Sequence, residues 1–140
     1  QERGLSPGTQ PVFLIAGLGK AVEMCRNEFR ARQNHLDKIR GIMREVMDSA
    51  GGVLNSSDDR LPNTMNLHLP NRDAEATMIR LKDDFAVSSG SACTSATFEP
   101  SHVLKAVFPE EPARWAQSLR FSWSHQTQAF QPNSLCALLR

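Results

Sequence analysis

The sequence predicts an α/β domain in which one long helix packs on a small sheet, and three observations predict it. Apolar residues recur at helical spacing over residues 15–50, the middle of the chain switches between helix-like and strand-like patterns, and residues 118–124 alternate cleanly between apolar and polar. At 140 residues the chain is long enough for one compact core. Its 40% hydrophobic and 22% charged content matches soluble globular proteins, and no apolar run approaches the roughly 18 residues of a membrane span.

The first element rests on Ile15, Leu18, Val22, Cys25, Phe29, Leu36, Ile39, Met43 and Val46, spaced by three and four apart from a gap at Arg32. One long helix, or two joined near residues 31–34, satisfies this stripe, and Gly51-Gly52 ends it. The other face carries Lys20, Arg26, Arg30, Arg32, Lys38, Arg40 and Arg44 against Glu23, Glu28 and Asp37, a basic excess read as a solvated surface. After a polar loop, residues 64–69 alternate as a half-buried strand does, closed by Pro70. Residues 72–82 favour helix, and Phe85-Ala86-Val87-Ser88 reads as a short second strand.

Residues 88–98 are rich in Ser, Thr, Gly and Ala and predict a mobile loop. Pro100 starts a short helix, Pro being suited to a first turn. Leu119, Phe121 and Trp123 then share one face of a third strand. From Gln126 onward the pattern is too weak to assign an element.

A net charge of +1 gives no electrostatic reason to expect direct nucleic-acid or membrane binding. The three cysteines are far apart and lack zinc-site spacing, so free thiols in a reducing, cytoplasmic setting and no resident metal are expected. Cys25, on the helix stripe, and Cys136 read as small buried hydrophobes. Cys93 differs, because small polar neighbours suit an exposed, reactive thiol.

Residues 86–95, Ala-Val-Ser-Ser-Gly-Ser-Ala-Cys-Thr-Ser, followed by Glu99-Pro100-Ser101-His102-Val103-Leu104, resemble the active-site loop of the cysteine desulfurases that serve iron–sulfur cluster assembly. Gln1-Glu2-Arg3-Gly4 with Gly8-Thr9, Leu61-Pro62-Asn63-Thr64-Met65-Asn66 and Ser118-Leu119-Arg120-Phe121-Ser122 resemble further blocks of that family in the same order. The resemblance implies the C-terminal part of a fold-type I, class V aminotransferase-like enzyme that uses pyridoxal phosphate. Residues 1–14 are then the end of the large cofactor domain, and residues 15–140 the small domain with its catalytic loop at 88–98.

By the same resemblance, Cys93 takes sulfur from L-cysteine as a persulfide, leaving alanine. Arg120 clamps the substrate carboxylate with its planar fork, Thr9 binds the cofactor phosphate across a homodimer, and His102 is an auxiliary candidate. The family's cofactor lysine stands in a Ser-x-His-Lys context that Lys20, Lys38, Lys82 and Lys105 lack, so residues 1–140 alone are expected to be an inactive fragment. The alternative is a sulfur carrier that presents a Cys93 persulfide without cofactor chemistry of its own. Sulfur-acceptor proteins, either iron–sulfur scaffolds or partners in tRNA or DNA thiolation, are the implied destination, and the same thiol could transiently ligate a cluster. Two departures stand out: Ser6-Pro7-Gly8-Thr9 replaces Arg-Ser-Gly-Thr, and the sequence after Ser122 diverges, so the terminal helix is expected to be lost or rebuilt.

Overall fold

A computed structural model describes residues 2–5, 8–57, 61–89 and 100–139. They fall into two compact units, Gln1–Gln33 and Asn34–Arg140. In the first, a short 3₁₀ turn at Glu2–Gly4 precedes a bend in which Gly8 takes φ 111°, a left-handed angle that a side chain would strain. Helix α1 starts at Val12 and is continuous to Ala50, without the break allowed near residues 31–34.

The stripe of α1 behaves differently along its length. Ile15, Leu18, Val22, Phe29 and Cys25 are exposed, which corrects the reading of Cys25 as buried. Periodicity assigns a face, but a face is buried only where another surface meets it. In the second unit the same stripe is buried at Ile39, Met43, Val46 and Ala50. Gly51, with φ 66°, closes the helix, and the Gly52 amide returns to the Met47 carbonyl at 2.9 Å.

Strands β1 (Val53–Leu54), β2 (Thr64–His68) and β3 (Ser118–Ser122) form an antiparallel sheet in that order. Helix α2 (Ala74–Leu81) is capped by Asp73, which accepts from the Ala76 amide at 2.9 Å. Helix α3 (His102–Val107) starts from Ser101, whose hydroxyl accepts from the Leu104 amide, so Pro100 precedes the cap and does not occupy the first turn. Helix α4 (Pro112–Ala116) leads into β3, and α5 (Pro132–Leu139) occupies the stretch in which the sequence assigned nothing.

Met65, Leu67, Leu119, Phe121 and Trp123 present the apolar face of the sheet to α1, to Leu81 of α2 and to Leu135 and Leu139 of α5. The expected facing of Leu119, Phe121 and Trp123 is therefore correct, and Cys136 is buried as expected, its sulfur 4.0 Å from the Val46 carbonyl. Residues 85–88 do not form a strand; Ser88 makes an isolated antiparallel bridge to Arg120. Truncating fully buried Leu67 to Ala is expected to cost about 2–5 kcal/mol, read as a lowered urea midpoint at unchanged slope.

Candidate active site

The period of two along β2 and β3 sends Thr64, Asn66, His68, Ser118, Arg120 and Ser122 to the face opposite the core. Asn66 stands directly across from Arg120, and Ser88 stands across from Arg120 on the other side. The row Asn66, Arg120, Ser88 therefore crosses the sheet with all three side chains on one face. Ser88 donates to the Arg120 carbonyl at 3.1 Å and accepts from the Arg120 amide at 2.6 Å. This pairing corrects the expectation of a loop free from Ser88 onward: its first residue is fixed to the strand.

Arg120 has both backbone groups bonded to Ser88 while its side chain is exposed. Among the described residues, its guanidinium has no hydrogen-bond or ion-pair partner. A cation held on a strand, next to polar neighbours and with no acidic partner among the described residues, is suited to an external carboxylate.

A polar relay lies beside it. Arg114 of α4 donates from Nε to Asn55 Oδ1 at 2.6 Å. Asn55 Nδ2 donates at 2.7 Å both to Asn66 Oδ1 and to the hydroxyl of Ser118, which donates to the Arg114 carbonyl at 2.6 Å. Arg114 is further held by Glu111 at 3.1 Å and by the Phe108 ring, 3.7 Å from its guanidinium carbon. Sequence reasoning missed this cluster, because its members come from four separate segments. The one local signal was that Asn66, His68, Ser118 and Arg120 occupy the polar positions of two alternating strands.

His68, between Val53 and Ser118 in the sheet, is half-buried, and its Nδ1 has no partner among the described residues. Burial holds its pKa below the ordinary value, and the charge of Arg114 acts the same way against smaller upward pulls from Glu111 and the Gln117 backbone. A histidine depressed in the folded state stabilises fully above its unfolded pKa of about 6.5, and that contribution is lost as pH falls through the lower folded value. The melting temperature should therefore fall on acidification below about pH 6.5, and His68→Asn should flatten that part of the profile. Superimposable profiles for the two proteins would contradict this account of His68.

The remaining expected site residues are placed as follows. Cys93 lies outside the described residues. His102 is the exposed first residue of α3, and among the described residues its side chain has no hydrogen-bond partner. Thr9 is exposed in the bend after Gly8, within the first unit, and its hydroxyl is likewise without a partner among the described residues. That hydroxyl is chemically fit to donate to a phosphate.

A cavity of about 540 Å³ opens elsewhere, lined by Phe85, Val87, Phe121, Trp123, Phe130 and Leu135 among others. Its walls are mostly core-face apolar residues and no arginine or lysine lines it, so we place the candidate site at the exposed Arg120. No helix among the described residues is long and apolar enough to cross a membrane, and no cluster among them could hold a metal ion.

The sheet and its covering helices agree with what comparison of the whole chain gives. The chain belongs to the aminotransferase class-V family, whose model matches residues 1–130. Within that family it is similar to the mitosomal cysteine desulfurase of Encephalitozoon cuniculi, 36% identical over 92% of this chain and 30% of the relative. It is also similar to the cysteine desulfurase IscS of Vibrio cholerae, 35% identical over 99% of this chain and 34% of the relative. The X-ray structure of a NifS-like protein from Rickettsia africae superimposes with a TM-score of 0.72 at 26% identity, covering 99% of this chain and 36% of that one. The chain thus spans about a third of the length of the relatives it matches.

Proposed function

We propose that this chain is the C-terminal part of a cysteine desulfurase, which in the complete polypeptide removes sulfur from L-cysteine and leaves L-alanine. The observation that carries the proposal is the anchoring of Ser88 opposite Arg120. Cys93 lies five residue steps beyond Ser88, so the chain can carry its backbone no farther than roughly 18 Å from the anchor. A residue suited to taking the sulfur is thereby tethered by a short segment to the strand that carries a residue suited to binding the carboxylate. The names of the similar proteins favour this enzyme over the carrier alternative.

In this reading Arg120 orients L-cysteine by its carboxylate, and the Cys93 thiolate attacks the substrate sulfur. The new S–S bond forms as the substrate C–S bond breaks; the bonding pair stays with carbon, which then takes a proton to become alanine. When bound, pyridoxal phosphate supplies an electron sink for that pair. Thr9, an exposed residue beside a left-handed glycine, is the residue here that would hold the phosphate, across a homodimer. His102, at the start of α3, is the candidate for proton movement near the thiol. Residues 1–14 would close the large domain and residues 15–140 form the small one. The persulfide would pass to acceptor proteins, with iron–sulfur scaffolds favoured by the IscS name. A mitosomal and a bacterial protein are both similar to this chain, so compartment varies among such proteins.

The test is to give the full-length, cofactor-loaded protein L-cysteine with a reductant and to measure both products. Alanine and sulfide in equal amounts are expected. Absence of alanine under those conditions would overturn the proposal.

A further inference from the structure

The hydrogen-bond relay beside Arg120 has a polarity that can be read atom by atom. An arginine nitrogen only donates, so the atom of Asn55 facing Arg114 Nε at 2.6 Å must be its oxygen. The Asn55 amide nitrogen must then face Asn66 and Ser118, which it does at 2.7 Å to each. Ser118 is free to accept there because its own hydrogen goes to the Arg114 carbonyl. Both Asn55 donors are thereby used, and the atom of Asn66 turned toward Asn55 must be Oδ1. The Asn66 Nδ2 is left with two N–H groups pointing away from Asn55, and neither has a partner among the described residues.

Those donors stand on the face of Arg120, directly across the strand pair, where facing side chains are about 4.5–5.5 Å apart at Cβ. Two amide hydrogens beside a guanidinium that has no partner among the described residues form, among those residues, a donor-only surface. We infer that Asn66 is a second carboxylate-binding residue, which donates from Nδ2 to the substrate α-carboxylate held by Arg120, with Arg114 and Asn55 as positioning residues that fix its orientation. This rests on the reading of Arg120 as the carboxylate arginine and extends it. An amide turned the other way would set an oxygen against the same carboxylate and repel it, so the relay governs the sign of the contact.

The test uses the full-length, cofactor-loaded protein and two competitive inhibitors of alanine formation. One is 3-mercaptopropionate, which has a carboxylate and no amine; the other is cysteamine, which has an amine and no carboxylate. Asn66→Ala should raise the inhibition constant of 3-mercaptopropionate about ten- to a hundredfold, the range for one hydrogen bond to a charged group, and leave that of cysteamine unchanged. Asn66→Asp, which keeps the acceptor for Asn55 and removes both donors, should raise it further. Asn55→Asp never touches the ligand, yet it offers Asn66 an acceptor in place of a donor, turns the amide over and should produce the same selective loss. Arg120→Gln is the reference. If it weakens 3-mercaptopropionate while Asn66→Ala and Asn55→Asp do not, the inference is wrong and the reading of Arg120 stands. If Arg120→Gln has no selective effect either, that reading falls and the inference with it. Equal weakening of both inhibitors by Asn66→Ala would mark a structural disturbance and also overturn the inference.

Discussion

Cys93→Ser should reduce alanine formation by the full-length protein by at least about 10³-fold while leaving 3-mercaptopropionate inhibition intact. The thiolate is the attacking species, and a cysteine thiol, with a reference pKa near 8.5, gives up its proton far more readily than a serine hydroxyl. A hydroxyl keeps its proton at neutral pH and forms no stable bond of the kind a persulfide requires. Binding should survive because Arg120 lies on β3, with its backbone paired to both Asn66 and Ser88, and none of these contacts involves residue 93. Loss of binding along with turnover would show that the substitution disturbs the sheet. Unchanged turnover would remove Cys93 from the chemistry altogether.

Arg120→Gln should have the next largest effect, a fall in kcat/KM for L-cysteine of roughly 30- to 5000-fold. This corresponds to about 2–5 kcal/mol for removing one partner of a desolvated charge pair. Glutamine keeps hydrogen-bonding capacity but no charge, and the loss of the cation decides the outcome. Arg120→Lys should fall in between, since it retains the charge but not the planar fork. The fold should tolerate both changes: the side chain is exposed, and the strand is held by backbone bonds and by the buried neighbours Leu119 and Phe121. Circular dichroism with L-cysteine kinetics on the same preparations separates loss of fold from loss of binding. Wild-type kcat/KM in Arg120→Gln would remove the carboxylate site from β3.

The sequence disclosed elements wherever one period dominated. The helix stripe, β2 and β3 follow from spacings of three and four or of two, and in the second unit the apolar sides face the core. Length along the chain does not disclose what covers a stripe, so Cys25, expected to be buried, is exposed, whereas Cys136 is buried as expected but in α5, an element the sequence does not assign. There, Leu135 and Leu139 are a helical turn apart, too few positions to establish a period without the sheet beneath them. Residues 85–88 have strand composition, yet only Ser88 finds a ladder partner. Propensity chose the type of structure, and the available edge of β3 set how much of it forms.

The candidate site was legible in proportion to how local its parts are. Arg120 could be found from one short block. Asn55, Asn66, Arg114 and Ser118 could not, since their relay joins residues separated by as many as 63 positions, and each alone is an ordinary polar side chain. The polarity of that relay depends on Arg114 being unable to accept a hydrogen bond, a property that matters only once the fold has placed it against Asn55.

The most direct measurement is mass spectrometry of the peptide containing residue 93, taken from the full-length, cofactor-loaded protein after brief exposure to L-cysteine without reductant. Added mass of one sulfur atom on Cys93, with none on Cys25 or Cys136, is the predicted result. Sulfur on either of those cysteines with Cys93 unmodified would contradict the account.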